Sequence, residues 1–144
     1  GVDPHSMRAG LLAAAPELDA FLDAELAAHG LGEDRLALVG FSQGTMLALH
    51  VGPRRAAAMA GIVGYSGLLA NPEHLAAEAK QKPPVLLVHG DADQVIPGMA
   101  LFAARDALGD AGFAVEWHMR PGLGHGIDQF GLETGGMFLR RLLP

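Results

Sequence analysis

Apolar residues recur early in the chain at helical spacing. Leu11, Ala15, Leu18, Leu22 and Leu26 follow one another at intervals of four, three, four and four, which draws one face of a helix. Asp3-Pro4 marks its start, with an acidic N-cap ahead of a proline at the first helical position. Gly30 and Gly32 mark its end. Pro16 falls inside the pattern and is expected to kink or divide the helix. The periodicity then changes. Residues 36–39 form a short apolar run without alternation, which predicts a strand buried on both faces. Residues 40–44 read as a tight turn and 45–51 as a helix that stops near Gly52-Pro53. Residues 60–65 and 85–88 predict two more buried strands, the second entered through Pro83-Pro84. Short helices are predicted over 72–80, capped by Asn71, and over 98–108. Residues 114–119 alternate, with Glu116 and His118 on one face and Val115, Trp117 and Met119 on the other, and predict a fourth strand. Residues 132–142 predict a closing helix.

From residue 36 onward, strand and helix take turns. That order predicts an α/β fold of about four parallel strands with flanking helices, since parallel neighbours need crossover connections. The 144 residues fit one domain, and half of them are hydrophobic, enough to build a core. Neither an internal repeat nor a low-complexity linker interrupts them. A formal net charge of −6 argues against a nucleic-acid surface, and the pairs Arg54-Arg55 and Arg140-Arg141 read as solvated helix positions. With no cysteine, a disulfide frame, a thiolate nucleophile and a Cys-ligated zinc site are excluded. No apolar run reaches the ~18 residues of a membrane span. No leader pattern opens the chain, so no signal peptide is expected and a cytoplasmic location is read. The start at Gly1, without methionine, is read as a processed end or an internal piece of a longer protein.

Candidate chemistry lies at the ends of three predicted strands. Gly40-Phe41-Ser42-Gln43-Gly44 fits G-x-S-x-G between a strand and a helix. A strand that reverses sharply into a helix crowds its backbone, and glycines on either side remove the Cβ atoms that would clash. The serine hydroxyl is then presented at the C-terminal edge of the sheet, and the Gln43 N–H sits at a helix N-terminus suited to an oxyanion. The other serines, Ser6 and Ser66, lack this setting: Leu68 stands where Ser66 would need its second glycine, and Ser66 reads as a strand-end structural residue. After the third strand, 89–97 carries Asp91 and Asp93, either of which could orient a base or serve as a turn residue. After the fourth, His125 is surrounded by Gly122, Gly124 and Gly126 in a loop able to return the imidazole over the strand ends. His5, His29, His50 and His74 fall in helices, and His89 and His118 in strands or at their ends, where core or surface roles are expected. Ser42, an aspartate and His125 follow in the Ser…Asp…His order of α/β-hydrolases.

On these residues the chain resembles the phospholipase/carboxylesterase group of α/β-hydrolases, which includes acyl-protein thioesterases. The resemblance rests on 40–44, on His89-Gly90-Asp91-Ala92-Asp93-Gln94-Val95-Ile96-Pro97 and on Gly122-Leu123-Gly124-His125-Gly126-Ile127. It selects Asp93 over Asp91 as the acid. It implies hydrolysis of short- to medium-chain carboxylic esters, with acyl thioesters beside them, and a small-molecule substrate with no cofactor and no metal. It also implies that Ser66-Gly67-Leu68 borders an acyl pocket, with Ile96 on the substrate side. The family's N-terminal strands and the His-Gly loop giving a second oxyanion donor have no counterpart before Ser42. The chain is therefore expected to be the last two-thirds of a member, a partial α/β-hydrolase fold. The open side of strand 36–39 should then be completed by a companion N-terminal fragment or by a second copy in a homo-oligomer.

Overall fold

The structure, a computed structural model, describes residues 3–144. Four strands, β1 (Ala37–Phe41), β2 (Gly61–Tyr65), β3 (Val85–Gly90) and β4 (Val115–Arg120), form one parallel sheet in the order β1-β2-β3-β4. Val39 pairs with Val63, Leu86 with Val63 and Val85 with Val115, so all four strands end along the same edge. The helices are α1 (Pro4–His29), α2 (Gln43–Arg54), α3 (Pro72–Glu78), α4 (Met99–Asp110) and α5 (Gln129–Leu142). The α/β class, the four parallel strands and the flanking helices all match the alternation in the sequence.

Two cores lie on the two faces of the sheet, divided by the two-residue period of the strands. Ile62, Val85 and Leu87 face Ala48 and Leu49 of α2, Leu75 of α3 and Leu101, Ala104 and Leu108 of α4. Their chain neighbours Val63, Leu86 and Val88 face Phe138 of α5, together with Tyr65. β2 and β3 are buried along their whole length. That is why their sequences read as apolar runs without alternation.

β1 departs from expectation. It was expected to be buried on both faces, but Val39 is 57% and Phe41 41% exposed. α5 packs over β2 and β3 and leaves β1 uncovered on that side, while Leu36 and Leu38 pack against the core on the α2 side. β1 is also an edge of the sheet, so its outer row of backbone donors and acceptors has no neighbouring strand among the described residues.

α1 departs as well. Pro16 neither ends nor divides it, and the helix runs unbroken for 26 residues. Pro16 and Leu12 are both exposed, so the Leu12 carbonyl that loses its helical partner is open to water. Asp3 caps the helix by accepting the His5 N–H at 3.1 Å, and Gly30 closes it at φ 63°. Leu11 and Leu22 are the buried members of the expected stripe, with Ala15, Leu18 and Leu26 half-buried. Arg55, just past α2, secures α1 to the sheet layer. Its guanidinium meets Asp19 at 3.0 Å and Asp23 at 2.7 Å, both on α1, and also Glu33. The Glu33 carboxylate holds the Arg55 pKa up against the opposing effect of burial, with Asp23 and Asp19 adding to it. Among the described residues no helix is long and apolar enough to cross a membrane.

Candidate active site

The turn from β1 into α2 is built as tightly as the glycine spacing suggests. A Cβ at Gly40 would stand 2.5 Å from the carbonyl carbon and oxygen of Gly44 and 2.6 Å from the Thr45 nitrogen. Between these glycines Ser42 takes φ 57° and ψ −117°, a conformation that costs an L-residue about 1–3 kcal/mol and persists only where its surroundings impose it. Those surroundings come from β2. The Ser42 N–H donates to the Tyr65 carbonyl at 2.9 Å, and the buried Thr45 hydroxyl donates to the same oxygen at 2.8 Å. The result aims the Ser42 side chain off the C-terminal edge of the sheet. Gln43 is the first residue of α2, so its N–H is one of the donors that a helix start leaves without an internal acceptor.

Asp93 and His125 reach the same edge from β3 and β4. The imidazole Nε2 of His125 lies 3.0 Å from the Ser42 Oγ, and its Nδ1 lies 2.8 Å from Oδ2 of Asp93. The structure thus brings together three residues 83 and 32 positions apart in the chain, in one hydrogen-bonded line. The Asp93 side chain is shielded from solvent. Its other oxygen accepts the N–H groups of Val95 and Ile96, each at 2.9 Å. Burial opposes the charge on Asp93, yet the hydrogen bonds from His125, Ile96 and Val95 outweigh it and hold the carboxyl below its ordinary range. An ionised Asp93 accepting at Nδ1 keeps the proton on that nitrogen and leaves Nε2 free to face the hydroxyl. Phe41 packs its ring on the imidazole, centroids 4.9 Å apart and tilted by 44°.

Asp91, the other aspartate of this loop, points elsewhere: its Oδ1 accepts the Gly122 N–H at 2.7 Å. The buried His89, read from sequence as a core or surface residue, lies behind Asp93. Its Nε2 is 2.8 Å from the Ile96 carbonyl and 3.3 Å from Oδ2 of Asp93. His118 sits away from the line, at 2.9 Å from Glu116. Leu68 and Ile96 line an apolar cavity of about 360 Å³ with Met7, Arg8, Met46 and Pro97. Ser66 is not on its wall. It is buried at φ 52°, and its hydroxyl donates to the Gly126 carbonyl at 2.9 Å. Sequence reading did not find this bond or the backing of Asp93 by His89. The Ser66 bond joins loops 60 positions apart that only the completed sheet makes neighbours, whereas His89 and Asp93 are four positions apart at the end of β3 and meet because the chain turns back on itself there.

The comparisons with known proteins point one way. A family model described as phospholipase/carboxylesterase matches residues 1–143. Acyl-protein thioesterase 1 of Gibberella zeae is 31% identical over 120 residues, covering 80% of this chain and 51% of that protein. Esterase YpfH of Escherichia coli is 30% identical over 115 residues, covering 80% of this chain and 48% of that protein. The crystal structure of esterase PE8 superposes with a TM-score of 0.95 at 44% identity, over 99% of this chain and 66% of that one. The chain spans about half the length of the curated relatives it matches.

Proposed function

This chain belongs to the phospholipase/carboxylesterase family, and from that membership we propose that it is a serine hydrolase of short- to medium-chain carboxylic esters. The single observation that carries the reading is the hydrogen-bonded line from Ser42 Oγ through His125 to Asp93. In this reading Ser42 Oγ attacks the acyl carbonyl and passes its proton to His125 Nε2. Asp93 orients the ring and stabilises the imidazolium. The oxyanion is met by the Gln43 N–H at the start of α2. His125 then protonates the leaving alcohol, and an acyl-enzyme remains on Ser42. Water, deprotonated by His125, attacks that ester, and the carboxylic acid leaves as Ser42 recovers its proton. The apolar cavity beside Leu68 and Ile96 offers room for an acyl chain. Acyl thioesters are the second substrate class, favoured by the thioesterase names among the relatives, since a thiol that takes up the proton from His125 leaves through the same steps.

The test is hydrolysis of p-nitrophenyl butyrate. Ser42→Ala is expected to lower kcat by on the order of 10³ or more. Equal rates for the two proteins would remove Ser42 as the nucleophile.

The exposed edge of β1, with Val39 and Phe41 open beside it, favours one further reading: a companion strand, from a second copy or a companion segment, pairs there. Its test is association in solution.

A further inference from the structure

The loop at 121–128 that carries His125 runs between β4 and α5 without belonging to either. Its imidazole must nevertheless stay within hydrogen-bond reach of two other residues at once. Backbone bonds supply part of that order: Ala92 N–H donates to the Leu123 carbonyl and Gly126 N–H to the Gly124 carbonyl, both at 3.0 Å. Arg120 of β4 holds the far end of the loop by donating its Nε–H to Asp128 at 2.8 Å, and two more side chains outside the Ser42–His125–Asp93 line grip it close to His125, one on either side. Ser66, the first residue past β2 and 1% exposed, donates its hydroxyl to the Gly126 carbonyl at 2.9 Å. Asp91, the first past β3, accepts the Gly122 N–H at 2.7 Å.

We propose that Ser66 and Asp91 are positioning residues that staple the His125 loop and so set the reach of its imidazole to Ser42. The inference rests on the hydrolase reading and adds to it two residues that touch no reacting atom. The backbone supplies the argument for Ser66. At φ 52° it occupies the left-handed region, where a glycine would sit without penalty. A glycine has no hydroxyl, and the hydroxyl is the group that reaches Gly126. For Asp91 the required feature is an acceptor oxygen at one place: the side chain is exposed and forms no ion pair among the described residues. An amide oxygen should serve equally well.

Four variants of the full chain test this: Ser66→Ala, Ser66→Gly, Asp91→Ala and Asp91→Asn. On p-nitrophenyl butyrate, both Ser66 variants are expected to lose about tenfold in kcat with little change in KM, the signature of a misplaced base. Ser66→Gly relieves the backbone strain, so it guards against a loss that comes only from unfolding. Asp91→Ala should lose several-fold, and Asp91→Asn should recover most of that loss. A readout independent of turnover is hydrogen exchange at the amides of 123–126. Exchange there should quicken in the Ser66 variants and in Asp91→Ala, while the amides of β2 and β3 stay protected. Unchanged kcat in Ser66→Gly would overturn the proposal. So would a rise in KM at constant kcat, which would make Ser66 a pocket wall, or an Asp91→Asn variant as impaired as Asp91→Ala. Failure of the hydrolase reading is separable: a wild-type chain without Ser42-dependent turnover whose loop still loosens in Ser66→Ala keeps the staple and loses the esterase.

Discussion

Two aspartates stand two positions apart after β3, and their oxygens find different hydrogen-bond donors. Asp91 takes a single backbone N–H across the surface, whereas Asp93 takes two N–H groups of its own loop and the His125 Nδ1. Those bonds hold the Asp93 carboxyl below its ordinary range even though burial pushes the other way. A carboxyl depressed on folding contributes stability that is complete above the ordinary carboxylate pKa of about 3.9 and is lost as pH falls through the lower folded value. Urea unfolding at about pH 5 and about pH 3 should therefore show a smaller loss of stability on acidification in Asp93→Asn than in the wild type; an identical loss would remove Asp93 from the linkage. The spacing of 91 and 93 could not choose between them, since both follow a strand as turn residues do, and only the family pattern pointed to Asp93. The sharp turn at Ser42 was legible because it is a local shape, and the flanking glycines that permit it are written beside it. The hydroxyl of Ser66 was not, because its partner lies 60 positions away.

The elements show the same division between local and distant causes. The central strands β2 and β3 were legible from their apolar runs because both faces are in fact covered. β1 has an equally apolar run and was misread, since burial depends on which helix lies above a strand and α5 lies over its neighbours. α1 was read with a kink or a division at Pro16 because a proline inside a helix removes one hydrogen bond and crowds the carbonyl four residues back; the helix is not divided there, and the exposure of Pro16 and Leu12 was not visible in the sequence. The start of α5 was placed three residues late. Its N-cap, Asp128, accepts the Gly131 N–H at 2.8 Å, ahead of the apolar pattern that announced the helix. Beside the apolar stripe, α1 is secured by a polar cluster that was not foreseen: Arg55 had been read as a solvated helix position and is instead buried among Asp19, Asp23 and Glu33. Removing its guanidinium should destabilise the fold by about 2–3 kcal/mol, the scale of charge-assisted hydrogen bonds lost from a buried donor. Urea midpoints of Arg55→Ala against wild type would measure it, and a shift under about 0.5 kcal/mol would reduce the cluster to a surface ornament.

At the scale of the whole molecule, a parallel sheet in sequence order collects the ends of β1, β3 and β4 on one edge, and three distant side chains meet there for that reason. The same sheet leaves β1 open, with Val39 and Phe41 beside an unpaired row of backbone groups. Light scattering at micromolar concentration should find the chain associated with itself or with a companion segment, and a clean monomer would contradict the pairing. The proposed hydrolase stands or falls with Ser42, His125 and Asp93 acting as one unit. The most direct measurement is labelling by a fluorophosphonate, with the adduct located by mass spectrometry in the wild type and in His125→Ala. One adduct is expected, on Ser42, formed quickly in the wild type and all but lost in the variant. Labelling at Ser42 that proceeds equally without the imidazole, or no labelling at Ser42 at all, would contradict the hydrolase reading.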